Sequence, residues 1–129
     1  PDDPKVLGSI EAIDRDLMID GLVHRFDPSA TLGGKQLPMG EFEGAFLPAT
    51  FWYAHALAGA GRTEKAAAIL QRCEEIAAGP GIFAEEADAQ RKTFLGNTPL
   101  LFSQVEYGRA LLALHRNESK KSPNKHKPV

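Results

Sequence analysis

Apolar residues recur at helical spacing in several stretches of the chain and lose that spacing between them. Val6, Leu7, Ile10, Ile13, Leu17 and Met18 follow one another at three- and four-residue intervals, behind an Asp2 or Asp3 able to cap a helix and a Pro4 suited to its first turn. Asp20-Gly21 stops that first amphipathic helix. Leu22 to Phe26 reads as a short extended run, and Asp27 to Gly44 as a loop, because Pro28, Gly33, Gly34, Pro38 and Gly40 deny it any period. From Pro48 the segment Ala49 to Ala60 is apolar almost all round, with Phe51, Trp52, Tyr53 and Leu57 spread over more than one face, which predicts a helix covered on every side. After the turn Gly59-Ala60-Gly61-Arg62, Thr63 can cap a helix with the stripe Ala66, Ile69, Leu70, Cys73, Ile76 and Ala77, ended by Gly79-Pro80-Gly81. Ile82 to Glu86 and Thr93 to Leu95 flank the polar stretch Ala87 to Lys92, as either a small hairpin or an irregular loop. Pro99 opens a last helix to about Arg116, with Phe102, Val105, Leu111, Leu112 and Leu114 as a broad apolar face.

The pattern therefore predicts an all-α chain of about four helices, arranged as successive antiparallel partners. It also predicts an imbalance: a wholly apolar helix and a broad-faced one need more cover than two amphipathic partners supply, so this chain is expected to belong to a larger helical assembly or to associate.

Composition narrows the class. The 129 residues are 43% hydrophobic and 25% charged, ordinary for a soluble globular domain. The formal charge of −2 conceals +3 from Asn117 onward, where four Lys face one Glu, so the preceding residues carry −5. That balance offers no basic face for nucleic acid, and residues 117–129 read as a disordered basic tail. Gly44 to Gly61 is interrupted by Pro48 and His55 and is too short to span a membrane. The opening Pro1-Asp2-Asp3-Pro4 is unlike a basic and apolar leader, and the lone Cys73 falls on an apolar stripe as a buried thiol, so a cytoplasmic, reducing setting is expected. His24, His55, His115 and His126 have no short ligand spacing with one another or with Cys73, which predicts no metal site.

Candidate chemistry concentrates in Phe83-Ala84-Glu85-Glu86-Ala87-Asp88, a carboxylate cluster between two helix ends. Read by itself, Glu85-Glu86 is a pair of solvated loop acids. The wider context adds to that reading. Glu43-Gly44-Ala45-Phe46-Leu47-Pro48-Ala49-Thr50-Phe51-Trp52, then Ala58-Gly59-Ala60-Gly61-Arg62 with an Ala-rich helix, Phe83-Ala84-Glu85-Glu86, Phe94-Leu95-Gly96-Asn97 and Phe102-Ser103 together resemble the closing part of glycoside hydrolase family fifteen, the glucoamylase and trehalase type. The similarity runs in order from about Asp2 to Leu114.

The resemblance implies that residues 1–116 are the C-terminal part of an (α/α)6 toroid, with the Pro48 helix in its inner ring and the active site in the funnel formed by connecting loops. It implies an inverting α-glucosidase or trehalase in which Glu85 is the general base, Glu86 a neighbour without that role, and Glu43, Phe46 and Trp52 contribute to binding an α-glucoside, trehalose or an α-glucan. The general acid of such an enzyme belongs to an earlier loop of the toroid, outside this chain, which is then expected to be inactive alone. No cofactor is needed for hydrolysis between two carboxylates. Thr98, Leu100 and Gln104 depart from the family pattern, which has an aromatic residue, Gln and His there.

Two other readings remain. Ala56-Leu57-Ala58-Gly59 through Ala66 resembles one helical hairpin of a tetratricopeptide-type interaction module, although no second copy follows at the required period. A truncated, non-catalytic sugar-binding relative is the other. With either the missing toroid or a partner to replace, the apolar surplus predicts a homo-oligomer, most simply a two-fold dimer.

Overall fold

The fold is described for residues 3–27, 43–78 and 81–121 of a computed structural model. Most of the expected Asp27–Gly44 loop, the Gly79-Pro80 breaker and residues 122–129 of the expected tail lie outside the described residues. The described part is mainly α, with four helices and five short strands. Helix α1 spans Pro4–Asp16, α2 Leu47–Gly59, α3 Thr63–Ala77 and α4 Leu101–Lys121.

Each helix starts for a local reason. Asp3 caps α1, its Oδ1 accepting from the Lys5 amide at 2.8 Å, and Pro4 occupies the first turn. The helix ends before Met18, earlier than its apolar period suggests, because Met18–Ile19 (β1) turns back to pair antiparallel with Leu22–Val23 (β2). Asp20 and Gly21 form the two-residue turn, both at positive φ (52° and 82°), which suits the twist of a tight hairpin. In α3, Thr63 is the first helical residue and Arg62 stands at the cap, so the expected capping role for Thr63 gives way to a buried position at the helix start. Ala78, in the left-handed conformation, closes that helix.

Helix α2 is the centre of the packing. It contacts α4 most extensively, then α3, β2 and α1. Leu47, Phe51, Tyr53, Ala54, Leu57 and Ala58 are buried on it, as the all-round apolar pattern predicts, while Trp52 is exposed. Buried Thr50 binds β2 by accepting from the Val23 amide at 3.0 Å. Lys65 of α3 and Tyr53 of α2 both donate to Asp14 of α1, at 2.6 and 3.2 Å, tying three helices at one carboxylate.

Helix α4 corrects two expectations. It continues past Arg116 to Lys121, so the first residues of the expected disordered tail are helical, and Asn117 donates to the Ala58 and Ala113 carbonyls at 3.0 and 2.9 Å. Its buried face is Ser103, Glu106, Ala110 and Leu114, whereas Leu101, Phe102, Val105, Leu111 and Leu112 are exposed. Half-buried Tyr107 packs on α2, its ring 5.5 Å from Phe51, and most of the apolar stripe faces away.

The Ile82–Leu95 region is a hairpin. Glu86–Asp88 (β4) pairs antiparallel with Thr93–Leu95 (β5) and, on its other edge, with Ala45–Phe46 (β3), forming a three-stranded sheet that caps the N-terminal end of α2.

Candidate functional site

The segment before β4 is anchored by one aromatic side chain. Phe83 is fully buried, its ring 5.1 Å from Phe51, 4.7 Å from Tyr107 and 6.5 Å from Phe94. Burying such a ring removes apolar area worth on the order of 2 kcal/mol, enough to fix a short loop in place. The backbone is pinned as well. Phe83 donates its amide to Gln104 Oε1 at 2.6 Å, the Phe83 carbonyl accepts from the Leu100 amide at 3.0 Å, and the Ala84 carbonyl accepts from buried Ser103 Oγ at 2.6 Å. Gln104 also donates Nε2 to the Gly81 carbonyl at 3.0 Å. The first turn of α4 thus holds residues 81–84 from one side.

Glu85 follows, with its backbone shared between two neighbours. Its amide donates to the Asn97 carbonyl at 2.9 Å and its carbonyl accepts from Leu47, the first residue of α2, at 3.0 Å. Its half-buried carboxylate accepts at Oε2 from Asn97 Nδ2 (2.8 Å) and the Asn97 amide (3.3 Å), and Oε1 accepts no hydrogen bond among the described residues. Gly96, at φ 71°, allows this approach, since a Cβ there would stand 3.0 Å from Glu85 Oε2 and 3.1 Å from Glu85 Cβ.

Glu86 is the first residue of β4. It is buried, accepts from the Gly44 amide at 3.0 Å through Oε2, and from Arg25 at 2.6 Å through Oε1. Arg25 also donates Nε to Glu43 and lies 4.9 Å over the Phe46 ring. Partial burial works against the Arg25 charge, but the bond and charge of Glu43, with the charges of Glu86 and Glu85, outweigh it and hold its pKa above the usual arginine value. His24 is buried beside this group, lining a crevice with Asp20, Glu43 and Gly44. Burial pushes its pKa below the usual histidine range, while Glu43 and Asp20 pull weakly the other way.

The expected site residues therefore divide. Glu85, Glu43 and Phe46 meet where β3, β4 and α2 join, though Glu43 is engaged in an ion pair with Arg25. Trp52 lies further along α2, its ring 5.3 Å edge-on from Phe102 of α4. Arg25 and Asn97 were not singled out individually from the sequence as site residues. The Gly96-Asn97 dipeptide was a visible signal for Asn97; Arg25, 61 residues before Glu86, had none. Gln104 departs from the family pattern yet still braces the segment leading to Glu85. Among the described residues no group of three or more His, Cys, Asp or Glu side chains could hold a metal ion, and no helix is long and apolar enough to cross a membrane.

What the fold and this junction define is a helical scaffold that displays one carboxylate on a braced loop between helices. In sequence the chain is similar to several trehalases. The chain is 36% identical over 104 residues to the trehalase of Thermoplasma volcanium, covering 80% of this chain and 16% of that protein. It is 33% identical over 118 residues to the trehalase of Mycobacterium tuberculosis, 92% of this chain and 17% of that protein. With trehalase 1 of Sulfolobus acidocaldarius it shares 29% identity over 112 residues, 87% of this chain and 18% of that protein. No family model matches, and no solved structure matches. This chain is a homologue of the trehalases over most of its length, and it spans 16 to 18% of theirs.

Proposed function

We propose that the chain forms part of an inverting α-glucoside hydrolase of the trehalase type, of glycoside hydrolase family fifteen, in which Glu85 is the general base and trehalose the substrate. The observation that carries this reading is the state of the Glu85 carboxylate: Asn97 holds one oxygen by two hydrogen bonds, and the other accepts none among the described residues. An inverting enzyme needs that arrangement, because the base must be fixed in direction while one oxygen takes the proton of the water attacking the anomeric carbon. Similarity to proteins named trehalase, over 80 to 92% of this chain, supports the choice of substrate.

In this reading residues 1–116 are the C-terminal piece of an (α/α)6 catalytic domain. The general acid lies in another part of the enzyme, and Phe46, Glu43 and Trp52 face or frame the sugar. Without the acid the glycosidic oxygen would leave as a poor alkoxide, so the 129 residues alone are expected to release no glucose from trehalose or maltose. In the complete enzyme Glu85→Gln lowers kcat by about 10² to 10⁴, the usual contribution of a positioned acid or base. Glu86→Gln, at a carboxylate already engaged by Arg25 and Gly44, costs far less. Steady-state kinetics of both variants on trehalose and maltose decide the matter, and equal losses, or none at Glu85, remove the assignment.

A further inference from the structure

Three glutamates, Glu43, Glu85 and Glu86, converge beside one guanidinium. Arg25 Nε donates to Glu43, and Arg25 Nη2 donates to Glu86 Oε1 at 2.6 Å. Glu86 spends its second oxygen on the Gly44 amide. Glu85 makes no ion pair among the described residues and leans only on the uncharged Asn97. The Phe46 ring lies 4.9 Å from the guanidinium carbon and offers Arg25 an aromatic face.

We propose that Arg25 is a positioning residue that selects Glu85 as the base, by binding Glu43 and Glu86 together and so leaving Glu85 as the one carboxylate of the three without an ion pair among the described residues. The proposal rests on the reading of Glu85 given above and deepens it. Its physical basis is the geometry of arginine: two nitrogens of one planar fork reach two carboxylates at once, which a lysine ammonium on a flexible stem does less well. Charge bookkeeping gives it a sign. Two carboxylates and one guanidinium put −1 around Glu85; without Arg25 the figure is −2, and without the Glu86 charge it is 0. Added negative charge makes a carboxylate harder to ionise, and removing negative charge makes it easier. His24, next in sequence to Arg25, faces Glu43 and Asp20, and Asp88 lines the same crevice. From β5 and the loop after it, Glu85 meets the uncharged Gly96 and Asn97.

The test compares Arg25→Gln, Arg25→Lys and Glu86→Gln by carbon-13 NMR titration of the glutamate carboxyls in this chain, and by the acid limb of kcat/KM against pH on trehalose in the complete enzyme. Arg25→Gln should raise the Glu85 midpoint, Glu86→Gln should lower it, and Arg25→Lys, which keeps the charge but not the fork, should restore part of the wild-type value. The acid limb should move in the same directions. Because opposite shifts are expected from two separate substitutions, a general loosening of the fold does not imitate the result. Midpoints that stay still, or that move the same way in both variants, overturn the role given to Arg25. Should Arg25→Gln fail to fold, Glu86→Gln decides alone, and no fall there rejects the proposal. Loss of hydrolysis in Glu85→Gln with unmoved midpoints sinks this inference and spares the proposed function. Undiminished hydrolysis in Glu85→Gln sinks both.

Discussion

Glu85 owes its position to glycine and asparagine as much as to its own charge. Gly96 adopts φ 71°, a region costly for residues with a Cβ, and any Cβ there would press on Glu85. Gly96→Ala should therefore cost about 1 to 2 kcal/mol in urea unfolding and displace the carboxylate from Asn97. Gly44 is tighter still, since a Cβ would lie 2.7 Å from the Ala87 carbonyl oxygen, in backbone that cannot swing aside. His24 supplies a pH signature. Its folded pKa lies below the unfolded value, so as pH falls the unfolded chain takes up a proton that the folded one resists. Stability should accordingly decline on acidification from about pH 6.5 toward the lower folded value, and His24→Gln should flatten that part of the stability curve in thermal melts. Cys73 is fully buried and burial pushes its thiol up to about 12, which predicts no alkylation of the native protein at neutral pH and full reaction after unfolding.

At the scale of elements, the first turn of α4 and the segment leading to β4 act as one unit. Ser103 is fully buried and is the partner of the Ala84 carbonyl. Replacing it with alanine leaves that acceptor unsatisfied, so Ser103→Ala should lose about 1 to 3 kcal/mol of stability. Exposed Arg116→Ala, on the same helix, should stay within about 0.5 kcal/mol. Denaturant unfolding of the two variants side by side measures the difference. A second link joins α3 to α4, where Tyr107 donates to Glu74 at 2.5 Å. Burial first, and that hydrogen bond with Glu74's charge next, push the Tyr107 phenol up to about 12.

For the molecule as a whole, the apolar stripe of α4 stands uncovered among the described residues. Leu101, Val105 and Leu112 recur at helical spacing with exposures of 76, 49 and 58%, and Trp52 with Phe102 continues the patch onto α2. Contiguous apolar surface of this kind marks an interface. On its own the chain should self-associate, with roughly 2,000 Å² or more buried if the contact replaces a domain core. Val105→Glu with Leu112→Glu should reduce the mass seen by light scattering after size exclusion without loss of helicity. A sharp monomer that unfolds cooperatively and binds no hydrophobic dye would mean that the four helices cover themselves.

Local patterning determined the helices, because capping, apolar period and glycine or proline breakers act within a few residues: Asp3 and Pro4 start α1, and the stripe from Ala66 to Ile76 is buried as its spacing requires. The same locality made Glu85 visible as a candidate, through the motif in which it sits. Other features depended on residues far apart in the chain. The Ile82–Leu95 stretch became a hairpin because β3, some forty residues earlier, offered an edge to Glu86 and Ala87. Of the apolar face expected on α4 only Leu114 is buried; it turns inward with Ser103, Glu106 and Ala110, while Phe102, Val105, Leu111 and Leu112 are exposed, because the inward face is set by what α2 and the segment before β4 offer it. Arg25 reached Glu86 across 61 positions, and no local rule sees that distance. Sequence alone thus determined which segments are helical and which carboxylates are candidates; tertiary structure decided which acid is tied up and which is left open, because ion pairs and packing are settled by neighbours in space.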